Sequence, residues 1–301
     1  MAYQNVGTPK FYINVLEWLH SKGTISIPSF FMTLPVAVKQ NPDYTTVENI
    51  PSGVMGTKNF LAVLGHVLGD SIDLFGVWDS DEYIGSEGVT DIINSDGSEP
   101  EYNGFSIMTF NNAEDIISVG QSIIFFVESE QPYGSVIIGS YYDMPHSPDL
   151  NLTMTREYGG IKNIETWGGA SLSNAFYTSP PDWGTRKAWQ LGDTDLSISG
   201  RRVWDLSFSY LSDKDVFQDN LKEIATEGES GWELDSDLTP DFTSEVIHKT
   251  NGGQLPFIFQ PDSSNNSPDQ FAICKLDMNS FSFQQTAPGL YSVKMKIRET
   301  W

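Results

Sequence analysis

The chain has a single cysteine, Cys274, among its 301 residues. One thiol cannot form an intrachain disulfide and cannot build a zinc site from several thiolates, so both kinds of crosslink are excluded. Cys274 lies in the segment QFAICKLDM, where alternating residues place it beside apolar neighbours. This position predicts a buried, inert thiol rather than a nucleophile.

Long apolar runs are also missing. No stretch approaches the ~20 consecutive apolar residues that a membrane-spanning helix needs, so we expect no membrane insertion. The first residues, MAYQNVGTPKFYIN, lack the basic region and the apolar core of a signal peptide. We therefore expect the chain to fold in a cytoplasm.

Positive charge is scarce. The sequence has 17 lysines and arginines against 40 aspartates and glutamates, which gives a net charge of -23. Such a surface repels the phosphates of nucleic acids and anionic lipid headgroups. Nucleic acid is therefore excluded as an expected partner, while the same charge keeps a strand-rich chain soluble.

Catalytic and cofactor motifs are missing as well. The four histidines form no metal-ligand pair of the kind found in zinc enzymes, and the glycine pairs match neither a dinucleotide-binding loop nor a phosphate-binding loop. The suggestive group is Asp143, His146 and Asp149, in which a carboxylate would orient an imidazole as a general base requires. Pro145 and Pro148 hold this segment extended, and no serine or cysteine nucleophile accompanies it. We expect no enzyme and no cofactor.

One acidic cluster resembles the start of a calcium loop. Asp79, Asp81 and Glu82 are close in sequence, and calcium takes several oxygen ligands from such loops. Ile84 stands where the calcium-binding loop would need its glycine. The cluster is a weak candidate for a metal site, and a solvated acidic loop is the favoured interpretation.

What the sequence does contain is strand periodicity. Alternation in YSVKMKIRETW places Tyr291, Val293, Met295 and Ile297 on one face. In VWDLSFSYL the same test groups Trp204, Leu206, Phe208 and Tyr210. The runs SIIFFVE and SVIIGSYY are apolar on both faces, as in central strands. With frequent turn residues between them, these segments predict a mainly β protein with an antiparallel β-sandwich or jelly-roll architecture.

Helix is scarce. FYINVLEWLHSKG predicts one amphipathic helix ending at Gly23, although its first residues fit a strand equally well. A strand, followed by a turn or a short helix, fits KNFLAVLGHVLGDS. Another short helix is expected in SDKDVFQDNLKEIA, with Ser212 as its N-cap. One to three short helices are therefore expected.

Acidic segments suggest how the chain is organised. Residues 78–104 are rich in Asp, Glu, Ser and Gly and are expected to form an insertion. Residues 226–241 are similar in composition. We therefore expect a sandwich core over residues 1–225, carrying that insertion, and an acidic linker with a C-terminal β meander over residues 226–301 that packs on the core as a second lobe.

Large aromatic side chains and one histidine are the interface candidates. Tryptophans fill β-sandwich cores and protein interfaces and also form platforms for sugars, and we favour core or subunit interface. The candidates for contact with another chain are Tyr142, His146, Trp167, Trp183, Trp189 and Trp204.

Three segments carry a resemblance to known proteins. NFLAVLGHVLGDSIDLFGVW, SVIIGSYYDMPHSPDL and SGRRVWDLSFSYLSD resemble structural proteins from the tail modules of marine tailed bacteriophages. The final 47 residues, from LPFIFQ to the end, are similar to the β-rich ends of distal-tail or baseplate proteins of that group. The LGH element is also similar to jelly rolls of the galactose-binding type in phage virion proteins.

The resemblance implies a non-enzymatic virion protein. It would be a ring-forming subunit of a tail tip, baseplate or tail adaptor, assembled in the host cytoplasm, with copies of itself and other virion structural proteins as partners. The family offers no catalytic residues to transfer. The alternative is a carbohydrate-binding module that recognises a host surface glycan through exposed tryptophans. Glycoside hydrolysis by paired carboxylates is a third hypothesis, because a sequence does not show which carboxylates meet.

Overall fold

The computed structural model describes residues 6–33, 44–51, 53–66, 75–79, 82–84, 104–110, 122–127, 134–157, 163–173, 201–217, 241–266 and 270–300. Within these ranges the chain is mainly β, and the helices are short. The expected mainly β fold class is confirmed, because antiparallel strands form most of the regular structure.

The strands are named in chain order. They are β1 Lys10–Asn14, β2 Tyr44–Glu48, β3 Asn59–His66, β4 Phe75–Asp79, β5 Glu82–Ile84, β6 Gly104–Phe110, β7 Ser122–Val127, β8 Ser135–Asp143, β9 Thr153–Glu157, β10 Asn163–Glu165, β11 Ser171–Ser173, β12 Arg201–Ser212, β13 Phe257–Gln260, β14 Ala272–Leu276, β15 Phe283–Ala287 and β16 Leu290–Glu299. The helical segments are α1 Val15–Ser21, a 3-10 turn Ser29–Phe31, α2 Asp213–Val216 and a π-helix Thr243–His248.

A ten-stranded antiparallel sheet dominates the fold. Its strand order is β6-β3-β8-β1-β13-β14-β16-β12-β9, and β15 also pairs with β16. A four-stranded sheet has the order β2-β7-β4-β5, and β10 pairs with β11 as a separate hairpin. In this order β6 and β9 lie at opposite ends of the large sheet.

The C-terminal strands are built into the large sheet. β13 pairs with β1, β14 pairs with β13, and β16 pairs with both β14 and β12. Strands from the two sides of the expected boundary near residue 226 therefore belong to one hydrogen-bonded layer, with β13, β14 and β16 inserted between β1 and β12. The residues after 241 complete the middle of the sheet that residues 1–225 begin.

One half of the large sheet forms a two-layer β-sandwich with the small sheet. Leu61 of β3 and Ile138 of β8 share a buried cluster with Val47 of β2 and with Ile123 and Phe125 of β7. Residues of α1 and of the 3-10 turn belong to the same cluster. Apolar side chains from both sheets thus meet in one core, as the sequence predicts.

The same face carries a second core over its other half. Trp204, Phe259 and Cys274 lie in this cluster, and Phe242 and Val246 from the π-helix region cover it. A third cluster, around Tyr12 and Phe60, lies on the opposite face, since Tyr12 alternates with Phe11 of the second core along β1. Both faces of the sheet are therefore apolar near β1 and β8, and every residue of β8 from 135 to 142 is buried, as expected for a central strand.

The first expected helix begins later than its apolar pattern does. Lys10–Asn14 form β1, and the helix runs from Val15 to Ser21. Asn14 caps it by accepting a hydrogen bond from the backbone N–H of Glu17 at 3.1 Å. The strand that the sequence allowed at this position is therefore the observed structure.

The other helical expectations are met in part. Ser212 flanks α2 at its N-terminus, but the described helix covers only Asp213–Val216. KNFLAVLGH contains β3. Within residues 78–104 the structure describes β5, which pairs with β4 so that Asp79 lies opposite Glu82. Among the described residues, no helix is both long enough and apolar enough to cross a membrane.

Candidate functional site

The group Asp143, His146 and Asp149, which the sequence singles out but does not favour as a catalytic base, is not assembled into one. The Asp143 carboxylate lies 2.9 Å from the Lys58 ammonium and 3.3 Å from that of Lys10, and the Asp149 carboxylate accepts a hydrogen bond from the Ser209 hydroxyl. His146 is exposed on the loop between them. Both carboxylates thus have other structural partners, and neither is placed to orient His146 as a general base.

The two lysines instead frame an aromatic ring. Lys10 lies 4.7 Å from the centre of the Tyr141 ring and Lys58 lies 5.8 Å from it. The ring itself is buried, and burial is the main cause that raises the pKa of the Tyr141 hydroxyl, with the Asp143 charge second. This cluster joins the ends of β1 and β8. Because the Tyr141 ring is buried, it presents no exposed aromatic face to a ligand.

Two of the interface candidates are core residues of the subunit. Trp204 is fully buried between Phe259, at 5.3 Å between ring centres, and the Arg202 guanidinium. Tyr142 is buried and its hydroxyl donates a hydrogen bond of 3.3 Å to the Asp215 carbonyl. Burial, with nearby carboxylates second, raises the pKa of the Tyr142 phenol, which stays neutral. Neither side chain can contact another chain without unfolding this one.

Several candidates lie beyond what can be described. Trp183, Trp189 and Asp81 fall outside the described residues. Asp79 and Glu82 are placed only as backbone in β4 and β5. In the part of the chain that the structure describes, no group of three or more histidine, cysteine, aspartate or glutamate side chains could hold a metal ion.

A buried polar cluster of Ser140, Glu245 and Lys249 is among the features that sequence reasoning missed. Lys249 donates to the Glu245 carboxylate at 2.7 Å, to the Val54 carbonyl at 3.1 Å and to the Ser140 hydroxyl at 3.4 Å. Ser140 also donates to Glu245 at 3.2 Å. The serine is 2% exposed and the lysine 8%. A substrate could not reach this serine and lysine, so the cluster is a buried link between β8, the π-helix and the loop at Val54.

Spacing on the helix was the signal that could have found half of this cluster. Glu245 and Lys249 are four residues apart, the separation at which a glutamate and a lysine on one helix face form an ion pair. Ser140 lies 109 residues away in the sequence. Ser140 contacts Glu245 and Lys249 because β8 lies beside the π-helix in the fold. No local sequence pattern predicts this contact.

Two interface candidates, His146 and Trp167, lie on the surface, and only Trp167 is a large apolar side chain. Trp167 lies in the turn between β10 and β11 and is fully exposed. Ile164 and Leu172, which face each other across the hairpin, are 65% and 51% exposed. The Thr166 carbonyl accepts a backbone hydrogen bond from Gly169, which closes the turn. Three large apolar side chains therefore project from one small hairpin.

The hairpin stands alone among the described elements. β10 and β11 pair with each other and with no other described strand. An isolated two-stranded hairpin is marginally stable in water, because it buries too little apolar surface. Its exposed apolar side chains mark it as the candidate functional site.

The comparisons with known proteins add no relative. No protein-family model, no curated protein and no solved structure matches this chain. Inference about its function thus depends on its own residues and on the sequence resemblance described above.

Proposed function

We propose that the chain is a non-enzymatic structural protein of a tailed bacteriophage virion, a ring-forming subunit of the tail tip, baseplate or tail adaptor. Its partners are copies of itself and other virion structural proteins, and assembly takes place in the host cytoplasm before the subunit is built into the tail. The observation that carries the proposal is the exposed hairpin β10–β11 with Ile164, Trp167 and Leu172.

The large sheet supports this proposal because it gives the hairpin a rigid base. Its central strands are buried on both faces, and long pairing of β12 with β16 extends this layer to the β9 edge. The hairpin follows β9 in the chain. A subunit of a symmetric ring needs such a body, with a projecting contact element that its neighbour receives.

Imaging tests the proposal directly. Purified protein should form closed rings of one size in negative-stain images, with a matching discrete mass by mass photometry. Antibodies raised against the chain should label the tails of intact phage particles. A protein that stays monomeric at high concentration, with labelling restricted to host cytosol, would contradict the proposal.

The exposed Trp167 favours one alternative, a module that binds a host surface glycan. An exposed indole stacks on the apolar face of a sugar ring, and small neighbours such as Gly168 and Gly169 leave room for it. A glycan array followed by calorimetry distinguishes the two functions. Binding that the Trp167→Ala variant loses and the Trp167→Tyr variant keeps would favour the glycan module, and an array without any signal would favour the structural role.

A further inference from the structure

We propose that the hairpin β10–β11 of one copy adds to β6 in a second copy, at the side of β6 that pairs with no described strand, and so extends the large sheet from subunit to subunit. This inference rests on the proposed ring-forming function and names the two surfaces that meet. It is a contact between different patches on identical chains, the kind that closes into a ring when the rotation permits.

β6 is a suitable acceptor because it is an edge strand among the strands that the structure describes. Among the described strands it pairs only with β3. Natural edge strands are normally guarded by charged residues, proline or bulges against pairing with other chains. The seven residues GFSIMTF of β6 contain no charged residue and no proline. One irregularity in pairing, between Leu64 and His66 of β3, lies at the Gly104 end and leaves the rest regular.

The occupant is a second copy, and charge favours these two surfaces for a contact between copies. Two chains that each carry a net charge of -23 repel each other over most of their surfaces. The hairpin segment 163–173 has a single charged residue, Glu165, and β6 has none. These two surfaces are therefore places where copies can approach without bringing acidic groups together, and both have strand edges to pair.

The hairpin follows β9, and β9 and β6 lie at opposite ends of the large sheet in the strand order. Eight strand spacings separate β6 from β9, or ~38 Å along the sheet at ~4.8 Å each. The link from Glu157 to Asn163 spans at most ~21 Å when fully extended. The hairpin is tethered to the β9 end and pairs with no described strand of its own chain, so the proposal takes β6 from another copy.

Side chains fit the same arrangement. Ile164 and Leu172 lie directly opposite each other and thus share one face of the hairpin. Ile107 and Phe110 of β6 are already buried within their own subunit, whereas Thr109 is exposed. Backbone pairing would supply the contact along β6, and burial of Ile164 and Leu172 would add the apolar contribution.

Charged substitutions test the two surfaces by mass photometry. Thr109→Lys on β6, and Ile164→Glu with Leu172→Glu on the hairpin, should each weaken assembly at least about tenfold, because a charge would enter the contact. The control for β6 is Thr155→Lys, an exposed position on the opposite edge strand β9. The control for the hairpin is Leu150→Glu, since Leu150 is a fully exposed apolar residue elsewhere. Both controls should assemble like the unmodified chain.

A crosslink then shows which surfaces meet. Thr109→Cys and Leu172→Cys chains, purified separately, mixed and oxidised, should give a covalent dimer, whereas Thr109→Cys mixed with Leu150→Cys should not. The native thiol, Cys274, is buried and will not compete.

The outcomes separate the two proposals. Assembly of the unmodified chain that survives the Thr109 and hairpin substitutions, without the Thr109–Leu172 crosslink, would overturn this contact and leave the ring-forming function standing. An unmodified chain that remains monomeric would overturn the ring-forming function itself. Weakened assembly in both variants with the crosslink present would support both.

Discussion

At the scale of single residues, the ion pair of Arg202 and Glu299 holds three parts of the large sheet together. The Arg202 guanidinium lies 2.9 Å from the Glu299 carboxylate, and both side chains are nearly buried. The same guanidinium donates to the Phe271 carbonyl, and the Arg202 backbone N–H donates to Glu299. Glu299 thus balances the buried charge of Arg202 on β12 and also accepts a hydrogen bond from the Arg202 backbone N–H.

Removing the carboxylate should be costly. Glu299→Ala leaves Arg202 buried without its counter-charge and should lower the free energy of unfolding by about 3–5 kcal/mol. Urea unfolding followed by tryptophan fluorescence measures this change. The control is Lys296→Ala, which breaks a pair with Asp277 whose side chains are about 40% exposed and should cost at most ~1 kcal/mol. Equal losses in both variants would show that the buried pair has no special role.

The lone thiol should behave as an internal marker of unfolding. Cys274 is fully buried, and burial, together with the nearby Glu299 charge, raises its thiol pKa well above the usual range. Very little thiolate therefore exists at neutral pH, and reagents cannot reach it. Ellman's reagent should not react with the native protein within minutes but should titrate one thiol per chain in denaturant. Rapid reaction without denaturant would contradict the burial of β14.

At the scale of elements, the step from β1 into α1 depends on the absence of a side chain on β8. Gly139 pairs with Asn14, and a β-carbon there would overlap the backbone carbonyl of Ile13 and the backbone nitrogen of Val15. Backbone atoms in a paired strand cannot move aside as a flexible side chain can.

Gly139→Ala should therefore destabilise the protein by at least ~3 kcal/mol, as overpacking against a rigid backbone does. Thermal unfolding measured by circular dichroism tests this expectation. Gly168→Ala is the matched control, because a β-carbon on Gly168 would have no atom within 4 Å, and its melting temperature should stay close to that of the unmodified chain. A tolerated alanine at position 139 would mean that β1 and β8 are farther apart than described.

The hydrogen bonds that join α1 to the residues just after the 3-10 turn should make the stability of the protein depend on pH. The Glu17 carboxylate accepts hydrogen bonds from the Thr33 hydroxyl and backbone N–H, at 2.6 and 3.0 Å. Burial is the largest cause of its raised pKa, and those hydrogen bonds offset it in part. The folded state therefore favours the protonated acid. This contribution to stability is fully present below the unfolded pKa of 4.5 and is lost as pH rises through the folded pKa.

Glu17→Gln isolates this contribution. The stability of the glutamine variant relative to the unmodified chain should increase as pH rises from below 4.5 to neutrality, because only the unmodified chain must ionise a buried group. Urea unfolding at a series of pH values measures the difference. A constant difference across the series would show that Glu17 titrates as it does in the unfolded chain.

The strands show what sequence periodicity can and cannot predict. Val293, Met295 and Ile297 are buried as the alternation of β16 predicts. On β12 the same rule groups Tyr210 with Phe208, but Tyr210 is 73% exposed and Leu211 is buried. The pairing with β16 shifts between Phe208 and Leu211. A β-bulge of this kind adds one residue and reverses the alternation beyond it, and period alone does not show where it occurs.

At the scale of the whole molecule, the order of the strands in the large sheet cannot be predicted from the sequence. Alternation identifies β12 and β16, but no local pattern predicts that residues near 257 pair with residues near 10. Acidic composition predicted a lobe boundary near 226, whereas long-range pairing places strands from both sides in one layer. The buried cluster of Ser140, Glu245 and Lys249 has the same origin. Composition predicts solubility and the positions of loops. Strand pairing depends on contacts between distant parts of the chain, which local composition does not show.

The net charge of -23 makes a final prediction about how copies associate. Two acidic chains repel each other through solvent over about 30 Å at 0.01 M salt and about 10 Å at 0.1 M salt. The proposed contact joins an uncharged strand edge to a hairpin with one charged residue. Added salt therefore screens the repulsion between the acidic surfaces of two copies, while few ion pairs across the contact exist for it to weaken.

The assembled fraction measured by mass photometry should therefore rise as sodium chloride increases from about 10 mM to about 500 mM. Chloride is preferable to sulfate for this series, because sulfate also strengthens apolar contacts. Assembly that weakens with added salt would show that ion pairs hold the copies together. The contact would then have to lie on charged surfaces rather than between the hairpin and β6.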